Sequence, residues 1–277
     1  MAKFAANLSM MFNDVPFTER FARAAKAGFK GVEYLFPYEV AAEELAALLK
    51  QHQLTQVLFN MPAGNWAAGE RGIASIPGRE KEFAEGVQTA LKYALALNCK
   101  QVHAMAGKLD TQFTPEQQFT PIQQLTPIQQ VTSIQQCECY ISNIQHAADV
   151  MAEHNINVLI EPINTRDMPD YFLTTQHQAE TLLKAIDRQN VFIQLDLYHC
   201  QIMEGDLLRT IERLWGKFSH IQIASVPERH EPDSGEVNYP WLFNKLDKMG
   251  YQGWFGCEYH PAGRTEDGLD WLTKAQK

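Results

Sequence analysis

Four polar side chains stand where apolar strands should carry none. VLIEPIN contains Glu161, NVFIQLDLYHC contains Asp196, HIQIASV contains Gln222 and GWFGCEYHP contains Glu258. Apolar, β-branched runs this short read as strands buried on both faces, the kind found in parallel sheets covered by helices. A carboxylate inside such a strand must be hydrogen-bonded, paired or bound to a cation, because an isolated buried charge costs too much to desolvate. The separations of 35, 26 and 36 residues each fit one strand, one helix and two loops. The four side chains therefore belong to consecutive strands and converge on one site. Three carboxylates that close repel unless a cation holds them, and carboxylate and amide oxygens are hard ligands suited to Mg²⁺ or Mn²⁺.

The elements that position these residues repeat along the chain. FAANLSM, GVEYLF, TQVLFNM, QVHAMA and the four runs above give eight strands, each followed by a helical pattern: 17–27, 41–51, 79–97, 137–153, 175–188, 207–217, 241–249 and 265–275. Eight alternations with no second domain left over predict an α/β fold, a single (β/α)8 TIM barrel spanning 1–277. An open doubly wound sheet would normally place a G-x-G-x-x-G turn after its first strand, and none is present. A long loop, 62–77, holds Trp66 and Arg71, and loops of that length in a compact α/β domain are usually functional. Residues 114–136 run TPEQQF, TPIQQL, TPIQQV, TSIQQC, which reads as a repetitive insertion in the β4-α4 loop, either a tolerated expansion or a flap over the barrel mouth.

The composition excludes several partners. Thirty-three acids against 24 bases give a net charge of −9 with no run of Lys and Arg, which argues against nucleic acid. The amino-terminal MAKFAANLSMMFND is too broken for a signal segment and no stretch approaches membrane-spanning length, so a cytoplasmic chain without a membrane partner is expected. Five cysteines at irregular spacings read as reduced thiols, and Cys137 with Cys139 is a C-x-C pair lacking the second pair a zinc site needs. A Cys200 nucleophile with His199 is set aside, on the expectation that both lie in a strand and point to opposite faces.

FAANLSMMF, VEYLFPY, PGRE, ALNCKQVHAMAG, FIQLDLYH, HIQIASVPERHEPDSGEVNYPWLF and GYQGWFGCEY together resemble the hydroxypyruvate isomerase family, and more closely its 2-oxo-tetronate isomerase branch. The resemblance covers nearly the whole chain outside the repeat. It implies a xylose-isomerase-like barrel whose metal is held by Glu161, Asp196, Gln222 and Glu258. Related sugar epimerases usually carry His at the position of Gln222, so the glutamine favours the isomerase branch; His260 and the repeat depart from the family pattern.

Moving a carbonyl between adjacent carbons of a hydroxy acid requires taking a proton from one carbon, stabilising an enediolate and returning the proton to its neighbour. Glu161 and Glu258 flank the Asp196 and Gln222 strands and could serve as base and acid, in an order left open. The small hydroxy-oxo acid substrate carries a carboxylate that needs a counter-charge, for which Arg229 and His230 are the first candidates and Arg71 the next. His199, three residues after Asp196, is expected to hydrogen-bond a ligand or a substrate oxygen, His103 on the fourth strand to contact substrate, and Glu33 to line the site wall. A sugar epimerase, a metal-dependent phosphodiesterase or endonuclease and a non-catalytic ligand-binding barrel are the competing functions. Assembly into a homo-oligomer is left open.

Overall fold

A computed structural model describes residues 2–109 and 127–276. Eight parallel strands, β1 (Lys3–Asn7), β2 (Gly31–Tyr34), β3 (Thr55–Phe59), β4 (Gln101–His103), β5 (Asn157–Ile160), β6 (Val191–Asp196), β7 (Phe218–Ile223) and β8 (Trp254–Cys257), lie in the order β3-β2-β1-β8-β7-β6-β5-β4. The sheet closes between β3 and β4, where Asn60 bridges His103 and the Met61 N–H donates to the His103 carbonyl at 2.8 Å. Closure leaves no free edge, which is the barrel expected from the eight alternations.

The helices are α1 (Phe17–Lys26), α2 (Ala42–His52), α3 (Glu80–Ala96), α4 (Pro127–Ala152), α5 (Gln176–Ile186), α6 (Leu197–Met203), α7 (Leu207–Arg213), α8 (Tyr239–Met249) and α9 (Asp270–Ala275). Their starts follow local chemistry. The Thr175 hydroxyl accepts from the Gln178 N–H to open α5, and the Asn238 side chain accepts from the Trp241 N–H to open α8, with Pro240 in its first turn. Each helix lays an apolar stripe on the sheet, as Phe21 and Ala24 of α1 or Leu182 and Ile186 of α5 do. None of the described helices is long and apolar enough to cross a membrane.

Two local expectations change. Helix α4 spans Pro127–Ala152, so positions 127–136 of the expected repetitive insertion are helical, and 110–126 lie outside the described residues. The run after Asp196 is not strand: the Asp196 carboxylate accepts from the N–H groups of Tyr198 (2.7 Å) and His199 (3.3 Å) and caps α6. His199 and Cys200 are therefore helical neighbours, and strand alternation is not what separates them.

What fills the barrel sets up the site. At the amino-terminal end Ala5, Val57 and Leu159 pack with Phe192 and Trp254 in a small apolar cluster. Above it the interior turns polar: Asn7, Glu33, Gln194, His220 and Gln222 are each at most 2 % exposed. Barrel interiors are ordinarily filled by branched apolar side chains. A buried polar layer one step below the carboxyl ends must be satisfied internally, and it lies directly under the acids.

Candidate active site

Asp196 ends β6, Glu161 and Glu258 follow β5 and β8 by one residue, and Gln222 lies in β7 paired in register with Asp196. All four sit at the carboxyl ends of consecutive strands and all are buried. Glu161, Asp196, His199 and Glu258 form a group that could hold a metal ion, each offering one ligand atom within 4.8 Å of the others. Gln222 joins them through Gln194, which lies two residues before Asp196 and donates from Nε2 to Gln222 Oε1 at 2.6 Å.

The electrostatics of the group suit a cation. Burial, then Glu258 and then Asp196 raise the Glu161 carboxyl well above its usual range, with Arg229 and the Gln194 amide pulling it back. Asp196 is raised by burial against the pull of Arg229 and of the two α6 N–H groups. Glu258 is pushed up to about 8, again by burial first and against Arg229. Glu161 Oε1 and Asp196 Oδ2 are buried without a hydrogen-bond partner among the described residues. Crowded carboxylates with unpartnered oxygens suit a hard divalent cation, because it offsets charge repulsion and supplies ligand contacts at once.

Raised carboxyl pKa values have a direct thermodynamic consequence. Each of these groups is easier to protonate folded than unfolded, so its contribution is present below the unfolded pKa and is lost as pH rises through the folded one, about 8 for Glu258. The cation-free chain should lose stability between pH 5 and 8, while a cation that binds the ionised form recovers it. Thermal denaturation with and without Mg²⁺ or Mn²⁺ should show a melting-temperature gain at pH 8 exceeding that at pH 6 by at least about 3 °C. Equal gains at the two pH values would show that these carboxyls do not hold the ion.

Two histidines face the acids in opposite hydrogen-bonding senses. Asn164 Oδ1 accepts from the N–H groups of Arg166 (3.0 Å) and Asp167 (2.9 Å), which turns its Nδ2 toward His199 Nδ1 at 2.6 Å. His199 Nδ1 is thereby assigned as acceptor and Nε2 as the protonated nitrogen, 3.6 Å from Asp196 Oδ2. Burial holds this imidazole neutral, with its pKa well below 6.5. His103 is the reverse case. Its Nδ1 faces two acceptors, Asn60 Oδ1 at 3.2 Å and Glu161 Oε2 at 3.5 Å, so Nδ1 carries the proton. Its Nε2 is buried without a partner among the described residues, and burial lowers its pKa to about 3. The site thus offers one neutral N–H donor and one neutral nitrogen acceptor.

Arg229, in the loop after β7, reaches into the cluster. Its Nη2 donates to Glu258 Oε2 at 2.7 Å and lies 3.9 Å from Asp196 Oδ2, while Nη1 is 3.6 Å from Asp167 Oδ2. The guanidinium stacks over Tyr198, whose hydroxyl donates to Asp167 at 2.9 Å. Burial works against the charged form, but Glu258, Asp196 and Asp167 outweigh it and raise the pKa.

Arg71 and His230 are each bonded to a loop carbonyl. Arg71 caps its own loop, donating to the Trp66 and Glu70 carbonyls and stacking 4.0 Å over the Trp66 ring. His230 turns its Nδ1 to the His260 carbonyl at 2.7 Å, tying the loops after β7 and β8 together. Sequence reading missed Asn7, Asn164, Asp167 and Gln194. Only Gln194 had a visible signal, since it shares a strand face with Asp196 at i and i+2.

Comparisons with known proteins agree with this geometry. Residues 21–275 match the family model described as a xylose isomerase-like TIM barrel. The chain is 48 % identical to the 2-oxo-tetronate isomerase of Pectobacterium atrosepticum, over 98 % of this chain and 97 % of that one. It is 43 % identical to the hydroxypyruvate isomerase of Escherichia coli K12, over 98 % of both. Among solved structures, one described as an AP endonuclease, family 2, from Brucella melitensis is 55 % identical, covers 99 % of each chain and superposes with a TM-score of 0.90.

Proposed function

The chain belongs to the hydroxypyruvate isomerase family of xylose isomerase-like barrels, and from that premise we propose that it is a metal-dependent isomerase of small 2-oxo-3-hydroxy acids. It interconverts such an acid with its 2-hydroxy-3-oxo isomer: 2-oxo-tetronate with 3-oxo-tetronate, or hydroxypyruvate with tartronate semialdehyde. The observation that carries this reading is the meeting of three buried carboxylates at the ends of β5, β6 and β8 with two oxygens left unpartnered. Glu161, Asp196, Gln222 and Glu258 would hold the ion; His199 is better suited to donate, because its Nδ1 lone pair is occupied by Asn164 and its Nε2 bears the proton. Gln222 Oε1 keeps a second lone pair beside the bond from Gln194. A divalent cation held there, Mg²⁺ or Mn²⁺, would supply Lewis-acid polarisation of a carbonyl and a counter-charge to developing negative charge.

The chain's own groups supply the proton chemistry. One of Glu161 and Glu258 takes the proton from C3 and the other returns one to C2, so C3 is oxidised as C2 is reduced and no external oxidant is needed. The His199 Nε2–H donates to the oxygen that gains charge. His103 Nε2 accepts from the substrate hydroxyl, which fixes which carbon faces the base. Arg229 pairs with the substrate carboxylate through its bidentate fork.

The similarity to a protein described as an endonuclease raises a second reading, a hydrolase acting on a phosphate backbone. A net charge of −9 and a mouth built on acids oppose it, since such a ligand would meet repulsion on approach. Side-by-side turnover of hydroxypyruvate, 2-oxo-tetronate, a free ketohexose and abasic-site DNA tests these assignments. Chelator-sensitive turnover confined to the two oxo acids is expected. Preferential C3 inversion of the ketohexose, or DNA cleavage, would overturn the reading.

A further inference from the structure

Beneath the acids, Glu33 is a buried carboxylate for which the reaction supplies no role. It is 1 % exposed and is surrounded by donors: Asn7 Nδ2 at 3.1 Å and Gln222 Nε2 at 2.8 Å reach Oε1, and His220 Nε2 lies 2.7 Å from Oε2. The fold makes room for it on β8, where a Cβ on Gly256 would overlap both carboxylate oxygens. Asn7 is itself fixed, because its Oδ1 accepts from the Ser9 N–H at 3.1 Å, leaving Nδ2 shared between Glu33 and Glu258 Oε1 at 3.3 Å. Glu33 thus touches two of the four cation-site residues, Gln222 directly and Glu258 through Asn7.

The consequence follows from the asymmetry of an amide. Gln222 can present either its oxygen or its NH₂ to a given neighbour, and only the oxygen can bind a cation. Glu33 Oε1 accepts from the Asn7 amide and takes the NH₂ end of Gln222, which turns Gln222 Oε1 away from it, to the side on which Gln194 donates. We infer that Glu33 is a positioning residue that fixes the Gln222 amide with its oxygen toward the cation. This rests on the proposed ligand set. Hydrogen-bonding partners of metal ligands typically change metal affinity by about 10–100-fold when removed.

A double-mutant cycle on Mn²⁺ affinity, read as free Mn²⁺ by electron paramagnetic resonance on the full chain without substrate, separates this role from general damage. Glu33→Gln should weaken Mn²⁺ binding at least about tenfold when Gln222 is present, and less than about twofold in a Gln222→Ala background. Should Glu33→Gln not give folded protein, Glu33→Asp, which keeps the acceptor but withdraws it by one methylene, carries the same cycle with the same expected pattern. Unchanged affinity in the native background, or equal losses in both backgrounds, would overturn the inference, the second by showing that Glu33 acts through its charge alone. Failure of the unsubstituted chain to bind Mn²⁺ would overturn the cation site itself and this role with it.

Discussion

Glu161→Gln and Glu258→Gln should each lower turnover at least about 10³-fold while the protein stays folded and still binds Mn²⁺ more weakly. Removing a positioned acid or base costs about 10²–10⁴-fold, and a neutral amide can neither take nor return a proton at carbon. The amide keeps one oxygen that can ligate, so metal binding falls without vanishing. Stability separates this outcome from unfolding. Glu161 is held among like charges, with Glu258 and Asp196 both raising its pKa, so its neutralisation should raise the melting temperature of the cation-free chain. Glu258→Gln should be closer to neutral, because it also removes the carboxylate that Arg229 Nη2 contacts at 2.7 Å. Turnover within tenfold of the unsubstituted enzyme in either variant would reject the two-carboxylate scheme.

Arg229→Gln should cost about 10²–10³-fold in kcat/KM, most of it in KM. Truncating one partner of a buried, hydrogen-bonded charge pair costs about 2–5 kcal/mol, and here the partner left behind is the substrate carboxylate. Part of the loss should appear in kcat, because the same guanidinium holds Glu258. Arg229→Lys keeps the charge but not the fork, and should recover only part of the activity. A neutral triose measured beside the carboxylated substrate isolates the effect. The native enzyme should strongly prefer the acid, and Arg229→Gln should largely erase that preference. A variant that loses activity equally on both would place Arg229 on Glu258 alone.

How much of this was readable from residues alone depends on what each residue's signal was. Glu161, Asp196 and Glu258 stood out because an acid at the end of an apolar strand has few physical justifications, and the separations of 35, 26 and 36 residues put them, with Gln222, on consecutive strands. Arg229 was within reach because it lies in the loop straight after a strand, although its φ of 55° and its contact with Glu258 required coordinates. The helix at 197–203 was hidden: LYHC is as apolar as the strand before it, and only the Asp196 cap distinguishes the two. The hydrogen-bonding senses of His199 and His103 could not be read, since each is set by an asparagine distant in sequence, Asn164 and Asn60. His220 and Asn7 carried too weak a signal for the same reason. A polar residue inside a strand says nothing of its partner until the barrel closes and brings Asn7 and His220 to the Glu33 carboxylate.

Proton nuclear magnetic resonance of hydroxypyruvate or 2-oxo-tetronate in D₂O addresses the central assignment most directly. The native enzyme should carry solvent deuterium onto substrate carbon faster than the enzyme-free control, should cease to do so with chelator, and should resume on addition of Mg²⁺ or Mn²⁺. Exchange at the background rate, or exchange that chelator leaves untouched, would contradict an ion-assisted proton transfer between Glu161 and Glu258.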